Sequence, residues 1–142
     1  MTRHVLFFLL FTTLPAVVAV AAQKTPGAAD GGRVFELRTY TAAPGKLDAL
    51  NARFRDHTIA LFKKHGMEVV GFWMPVDKEA GAGEKLVYIL AHPSRAAAEA
   101  NWKAFREDPE WVKVKAESET AGTLAAKVES VFMSATDYSP LK

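Results

Sequence analysis

The stretch from Val34 to Leu47 limits the possible folds more than any other part of the chain. It begins as strict alternation. Phe35, Leu37 and Thr39 fall on one side and Glu36, Arg38 and Tyr40 on the other, the two-residue period of a strand. Pro44-Gly45 then ends the ladder, because proline has no N–H to donate and glycine turns freely. A helical pattern begins at Lys46. A strand, a breaker and a helix start thus follow one another directly, with an acid, a guanidinium and a phenol in line on one side of the strand.

The rest of the chain extends this pattern. Leu47, Leu50, Phe54, Thr58, Leu61 and Phe62 recur at helical spacing, predicting a helix over 46–65 that Gly66 stops. Met67–Val76, rich in β-branched and aromatic residues, reads as a second strand. Asp77–Glu84 reads as a loop. Lys85–His92 is apolar on both sides, as in a central strand buried on two faces. Ser94 is placed to cap a helix running to about Glu107, with Ala98, Trp102 and Phe105 as its buried stripe. Asp108-Pro109-Glu110-Trp111 restarts the helix: an aspartate cap, a proline at the first position and an acid in the first turn. Val128–Tyr138 reads as the last strand.

This order predicts an α+β fold, a ferredoxin-like four-stranded antiparallel sheet with helices on one face. The first strand is expected inside the sheet, paired with the third and fourth. Because Phe35 and Leu37 make the more apolar side, Glu36, Arg38 and Tyr40 are expected to face a barrel between two sheets rather than the helices. The uncovered sheet face, expected to carry Trp73, Tyr88 and Phe132, calls for a second copy packed sheet to sheet, that is, a homodimer.

The first 22 residues differ in kind. Arg3 and His4 precede an apolar run from Val5 to Leu14, Pro15 follows, and Ala19-Val20-Ala21-Ala22 supplies small residues suited to cleavage before Gln23. This is the layout of a secretory signal peptide (1–22), followed by a flexible Ala-, Gly- and Pro-rich leader (23–33) and one domain (34–139). The alternative, an uncleaved anchor, barely reaches spanning length. The mature protein is expected to be exported, periplasmic or secreted, with no stable membrane span. The chain has no cysteine, which excludes disulfides, thiolate metal sites, a cysteine nucleophile and a lipoprotein anchor, and suits an oxidising compartment. Its formal net charge of +2 falls by one when Arg3 is removed with the signal. No basic stripe results, so no nucleic-acid partner is expected.

Chemistry-bearing motifs are sparse. His57 and His65 stand too far apart on one helix to share a metal, and His92 ends a strand before a proline. For each, an ordinary structural histidine is the simpler reading, and no metal or cofactor is predicted. There is no nucleophile elbow, phosphate loop or dinucleotide fingerprint. Trp102 reads as packing. The candidate ligand-binding residues are Glu36, Arg38, Tyr40, His57, Trp73 and Tyr88, with a solvated face or a set of ion pairs as the structural alternative for the first three.

Several of these segments together resemble the NIPSNAP family. They are Glu36-Leu37-Arg38-Thr39-Tyr40-Thr41 with Pro44-Gly45-Lys46, then Gly71-Phe72-Trp73, the helix start at Ser94-Arg95, and Asp108-Pro109-Glu110-Trp111. The likeness spans about Val34 to Ser139. One departure stands in the third strand. That strand often ends with a Trp and a Tyr in the family, and here it reads Tyr88-Ile89-Leu90-Ala91-His92-Pro93. The resemblance implies a dimeric α+β barrel. Some members are mitochondrial proteins linked to vesicle traffic and mitophagy, roles that do not carry over to an exported chain. The wider superfamily includes monooxygenases, isomerases and haem enzymes, so the fold alone does not settle a function.

Two functions fit these residues. In the first, the protein binds a small apolar or amphipathic molecule, Trp73, Tyr88 and Phe132 giving apolar contact, Arg38 holding an anionic end and Glu36 orienting the guanidinium. In the second, it is a small monooxygenase-like oxidoreductase or isomerase, with Tyr40 or His57 moving a proton and Arg38 stabilising an enolate or phenolate. Binding ranks first, because no acid–base pair follows from the spacing.

Overall fold

The computed structural model describes residues 32–142. The expected signal peptide and all of the expected leader except Gly32 and Arg33 lie outside these residues. The elements are β1 (Val34–Ala42), α1 (Leu47–Arg53), a π-helical turn (Phe54–Thr58), α2 (Ile59–Lys64), β2 (Glu68–Trp73), a short 3-10 turn (Lys78–Ala80), β3 (Lys85–His92), α3 (Arg95–Glu107), α4 (Pro109–Ser118) and β4 (Ala125–Ser134). The sheet is antiparallel with order β2-β3-β1-β4, so β1 is central and pairs with both β3 and β4. This is the ferredoxin-like plan.

Local chemistry accounts for the boundaries. Ser94 Oγ accepts the Ala97 N–H (3.1 Å) and starts α3. Asp108 Oδ1 accepts the Glu110 N–H (2.9 Å), with Pro109 at the first position of α4. Gly66 ends α2 at φ +69°, a conformation that costs a residue with a Cβ. Residues 47–64 form one continuous helix widened at its middle by the π-turn, where Thr58 Oγ1 donates to the Arg53 carbonyl (3.1 Å). The periodicity does not anticipate this turn. The last strand begins and ends earlier than expected, and residues 135–142 instead fold back, bringing Leu141 to a groove with Phe35, Val70 and Ile89.

The core lies between the sheet and the helices. Leu50, Phe54, Leu61 and Phe62 meet Leu86, Tyr88 and Leu90 there, closed by Trp102 and Phe105. Each fully buried large side chain contributes roughly 1.5–3 kcal/mol. The two sides of the sheet correct three expectations. Arg38 is paired with Tyr88, and Glu36 with Phe132. Arg38 lies over Trp102 of α3, and Tyr88 packs on Phe54 and Phe62, so Glu36, Arg38 and Tyr40 face the helices and not the outer side. Tyr88 and Phe132 share that side and are not on the open face. Trp73 is on it, 51% exposed, with its indole laid over Gly71 so closely that a Cβ there would meet the ring at 2.8 Å. β3 is fully buried only on its helix side, Val87 and Ile89 being half-buried on the other. Among the described residues no helix is long and apolar enough to cross a membrane.

Candidate functional site

The site is built on the helix-facing side of β1. Glu36 is 1% exposed, and its carboxylate receives four donors. Arg38 Nη1 and Ser130 Oγ both donate to Oε1 at 2.6 Å. Trp102 Nε1 donates to Oε2 at 2.6 Å, and His92 Nε2 lies 3.2 Å from the same oxygen. An ionised carboxylate only accepts, so this His92 nitrogen carries the proton. Burial alone would raise the Glu36 pKa. The bonds from His92, Ser130, Trp102 and Arg38 outweigh it and hold the pKa down at about 2. Charge survives inside the fold because every lone pair is used.

Arg38 sits on this anchor. Its guanidinium carbon lies 4.2 Å from the Trp102 ring centroid, and Nη2 donates to the Tyr40 hydroxyl at 3.4 Å. Burial disfavours the cation, but Tyr88, Tyr40 and Glu36 outweigh it and raise the Arg38 pKa further, so the charge is permanent. Three buried polar atoms in this neighbourhood have no protein partner: Arg38 Nε, the Tyr88 hydroxyl and His92 Nδ1. Burial pushes the Tyr88 phenol well above its ordinary value and keeps it neutral.

Above Arg38 opens a cleft of about 600 Å³, within the range typical of small-molecule sites. Arg38 and Tyr40 come from the sheet, Trp102, Phe105 and Arg106 from α3, and Trp111 and Lys115 from α4, with Glu119 just beyond. The aromatic walls support one another: Phe105 and Trp111 lie 4.6 Å apart between centroids, and Trp102 meets Phe105 edge-on at 5.5 Å. Behind the α4 wall, buried Arg53 lies 5.2 Å from the Trp111 centroid and donates to Glu119 Oε1 at 2.9 Å.

The structure therefore brings together four of the six sequence candidates. Arg38 and Tyr40 line the cleft, while Glu36 and Tyr88 lie beneath it as supports. Trp73 is on the opposite side of the sheet. His57 is exposed beside a separate groove of about 340 Å³ between α1 and α4, with Asp56 and Ser118, because it points outward from the π-turn. Neither belongs to the site. His92, Ser130, Arg53, Phe105, Trp111, Arg106 and Lys115 were not anticipated, and Trp102 does more than pack. Ser130 had one available signal, its alternation with Val128 and Phe132 in the last strand. Trp111 had its position directly after the Asp108-Pro109 restart. Among the described residues no three His, Asp or Glu side chains gather as a metal site would require.

The fold and the cleft define a ferredoxin-like α+β domain that holds a charged, aromatic-lined space between its sheet and its helices. Within that class the chain belongs to the NIPSNAP family, whose profile matches residues 35–140. It is similar in fold to a NIPSNAP family protein of unknown function from Agrobacterium tumefaciens (23% identity, TM-score 0.68, covering 82% of this chain and 99% of that one). It is also similar to an uncharacterized NIPSNAP-like domain protein from Burkholderia xenovorans (14%, 0.65, 78% and 90%). A putative antibiotic biosynthesis monooxygenase from Nitrosomonas europaea shares the fold more distantly (13%, 0.54, 76% and 94%). No curated protein matches the chain.

Proposed function

We propose that the protein is an exported homodimer whose protomers each bind, in the cleft above Arg38, a small amphipathic molecule with a flat apolar body and an acidic end. The observation that carries this reading is the Arg38 guanidinium, its side chain still 16% exposed, on the floor of a cleft walled by Trp102, Phe105 and Trp111. Glu36 fixes the guanidinium, so little side-chain entropy is lost on binding. The apolar contacts come from these three residues and not from Trp73, Tyr88 and Phe132. Native mass spectrometry of protein purified from its own host tests the reading, together with titration of 2-naphthoate against tryptophan fluorescence. Wild type is expected to retain a ligand and to bind the probe, and Arg38→Gln to weaken it by roughly tenfold or more. A persistently empty cleft and an unchanged probe affinity would sink the proposal.

Two further parts of the reading have their own support. The outer sheet face presents Leu37, Val87, Ile89, Trp73 and Val131, an apolar surface suited to a second sheet. Sedimentation should show a dimer that Val131→Lys dissociates. The pattern of residues 1–22 supports export, and cell fractionation should recover the protein outside the cytoplasm, shortened at its start.

The placement of Tyr40 favours one catalytic alternative. Its hydroxyl accepts from Arg38 at 3.4 Å on the cleft wall, the arrangement of a proton donor beside a cation that steadies a developing oxyanion. A monooxygenase-like oxidoreductase or an isomerase would use Arg38 and Tyr40 in this way, without His57. Turnover of quinols followed by absorbance, abolished by Tyr40→Phe, is the expected result. Equal background rates in both proteins would remove this alternative.

A further inference from the structure

This inference rests on the binding reading and narrows the class of ligand. We propose that the cleft is built for a dianion, with one acidic group held at Arg38 on the floor and a second at Arg106 and Lys115 on the rim. Arg38, Arg106 and Lys115 all line the same space, and among the described residues Glu119 is its one lining carboxylate. That carboxylate is already engaged: Arg53 donates to Oε1 from behind the wall at 2.9 Å, and Lys115 Nζ approaches Oε2 only to 4.0 Å. Glu36 is likewise committed to Arg38 from below.

Set against Glu36 and Glu119, the cations Arg38, Arg53, Arg106 and Lys115 leave two positive charges uncompensated. The whole chain carries a formal net charge of only +2, so this surplus is a local property of the cleft and not of a generally basic surface. The other exposed helical cations are mixed: Arg95 pairs with Glu99 and Lys64 with Asp108, whereas Arg55, Lys63 and Lys103 have no ion-pair partner among the described residues, so what sets Arg106 and Lys115 apart is their place on the cleft beside Arg38. Arg106 has no ion-pair partner among the described residues, although Glu107 and Asp108 follow it in sequence. The two charged regions differ in depth, Arg38 being 16% exposed at its side chain and Lys115 55%, and the aromatic wall lies along the same space. An apolar body with acids at both ends matches that sequence of surfaces.

The probes are 2-naphthoate and 2,6-naphthalenedicarboxylate, which share one ring system and differ in the second acid. Calorimetric titration of the intact protein at low salt is expected to show the diacid binding roughly tenfold tighter, a preference that shrinks as salt is added. The Arg106→Gln/Lys115→Gln double variant changes only exposed side chains. It should lose most of the preference for the diacid, the ratio of the two affinities falling toward one, whereas Arg38→Gln should weaken both probes. If wild type binds both probes equally, or the double variant keeps the preference, the dianion proposal is overturned while the binding reading stands. If neither probe binds, both fall.

Discussion

Glu36 combines two properties that normally exclude each other, full burial and full ionisation. Its folded pKa of about 2 lies below the ordinary 4.5, so its contribution to stability is complete above about pH 4.5 and is lost as pH falls toward 2. The shift corresponds to about 3 kcal/mol. Urea unfolding between pH 7 and pH 2.5 should show wild type weakening across that window. Glu36→Gln should be less stable at neutral pH and flatter below pH 4.5, and an equal acid slope in both proteins would count against this role. Trp102→Phe removes one of the four donors while keeping an aromatic ring, and should cost about 1–3 kcal/mol in the same assay. The alternation of β1 made Glu36, Arg38 and Tyr40 legible as one side of a strand. Which side faces inward was not legible, because the partners that make burial tolerable, His92, Trp102 and Ser130, lie 56, 66 and 94 residues away. Charge on a strand suggests exposure unless its distant donors are known.

At the scale of elements, the features held by local chemistry were the ones that could be read. Ser94 and Asp108 cap helices where their side chains predict it, and Gly66 stops one. Ser94→Ala should lower stability by about 1 kcal/mol, seen as a fall in the urea midpoint with an unchanged slope. The π-turn was not legible, since Phe54–Thr58 carries neither glycine nor proline and continues the apolar stripe. Its consequence is positional: widening the helix leaves the Arg53 carbonyl bonded to Thr58 Oγ1, and the Arg53 side chain reaches Ser118 and Glu119 behind the cleft. Thr58→Val keeps the volume and removes the bond. It should cost about 0.5–1.5 kcal/mol by urea unfolding and loosen probe binding at the α4 wall, whereas an unchanged probe affinity would confine Thr58 to a packing role.

At the scale of the molecule, the strand order was predictable because two strand–helix units joined by right-handed crossovers leave few arrangements. The cleft was not, because it exists only where α3 and α4 meet across the Asp108-Pro109 joint and β1 passes below them. That same order has a consequence in time. The central strand is made first, and both of its neighbours are made later, β4 last of all. While the chain is incomplete, Glu36 lacks Ser130 and β1 has one edge unpaired. The contacts that define the native state are therefore among the most distant in the chain, which makes the folding barrier one of loop closure. Ser130→Ala and Leu50→Ala should separate in stopped-flow refolding if β4 docks after the barrier: the former accelerating unfolding, the latter slowing folding. Until the ribosome has released the final strand, the earliest-made strand remains a template waiting for its last partner.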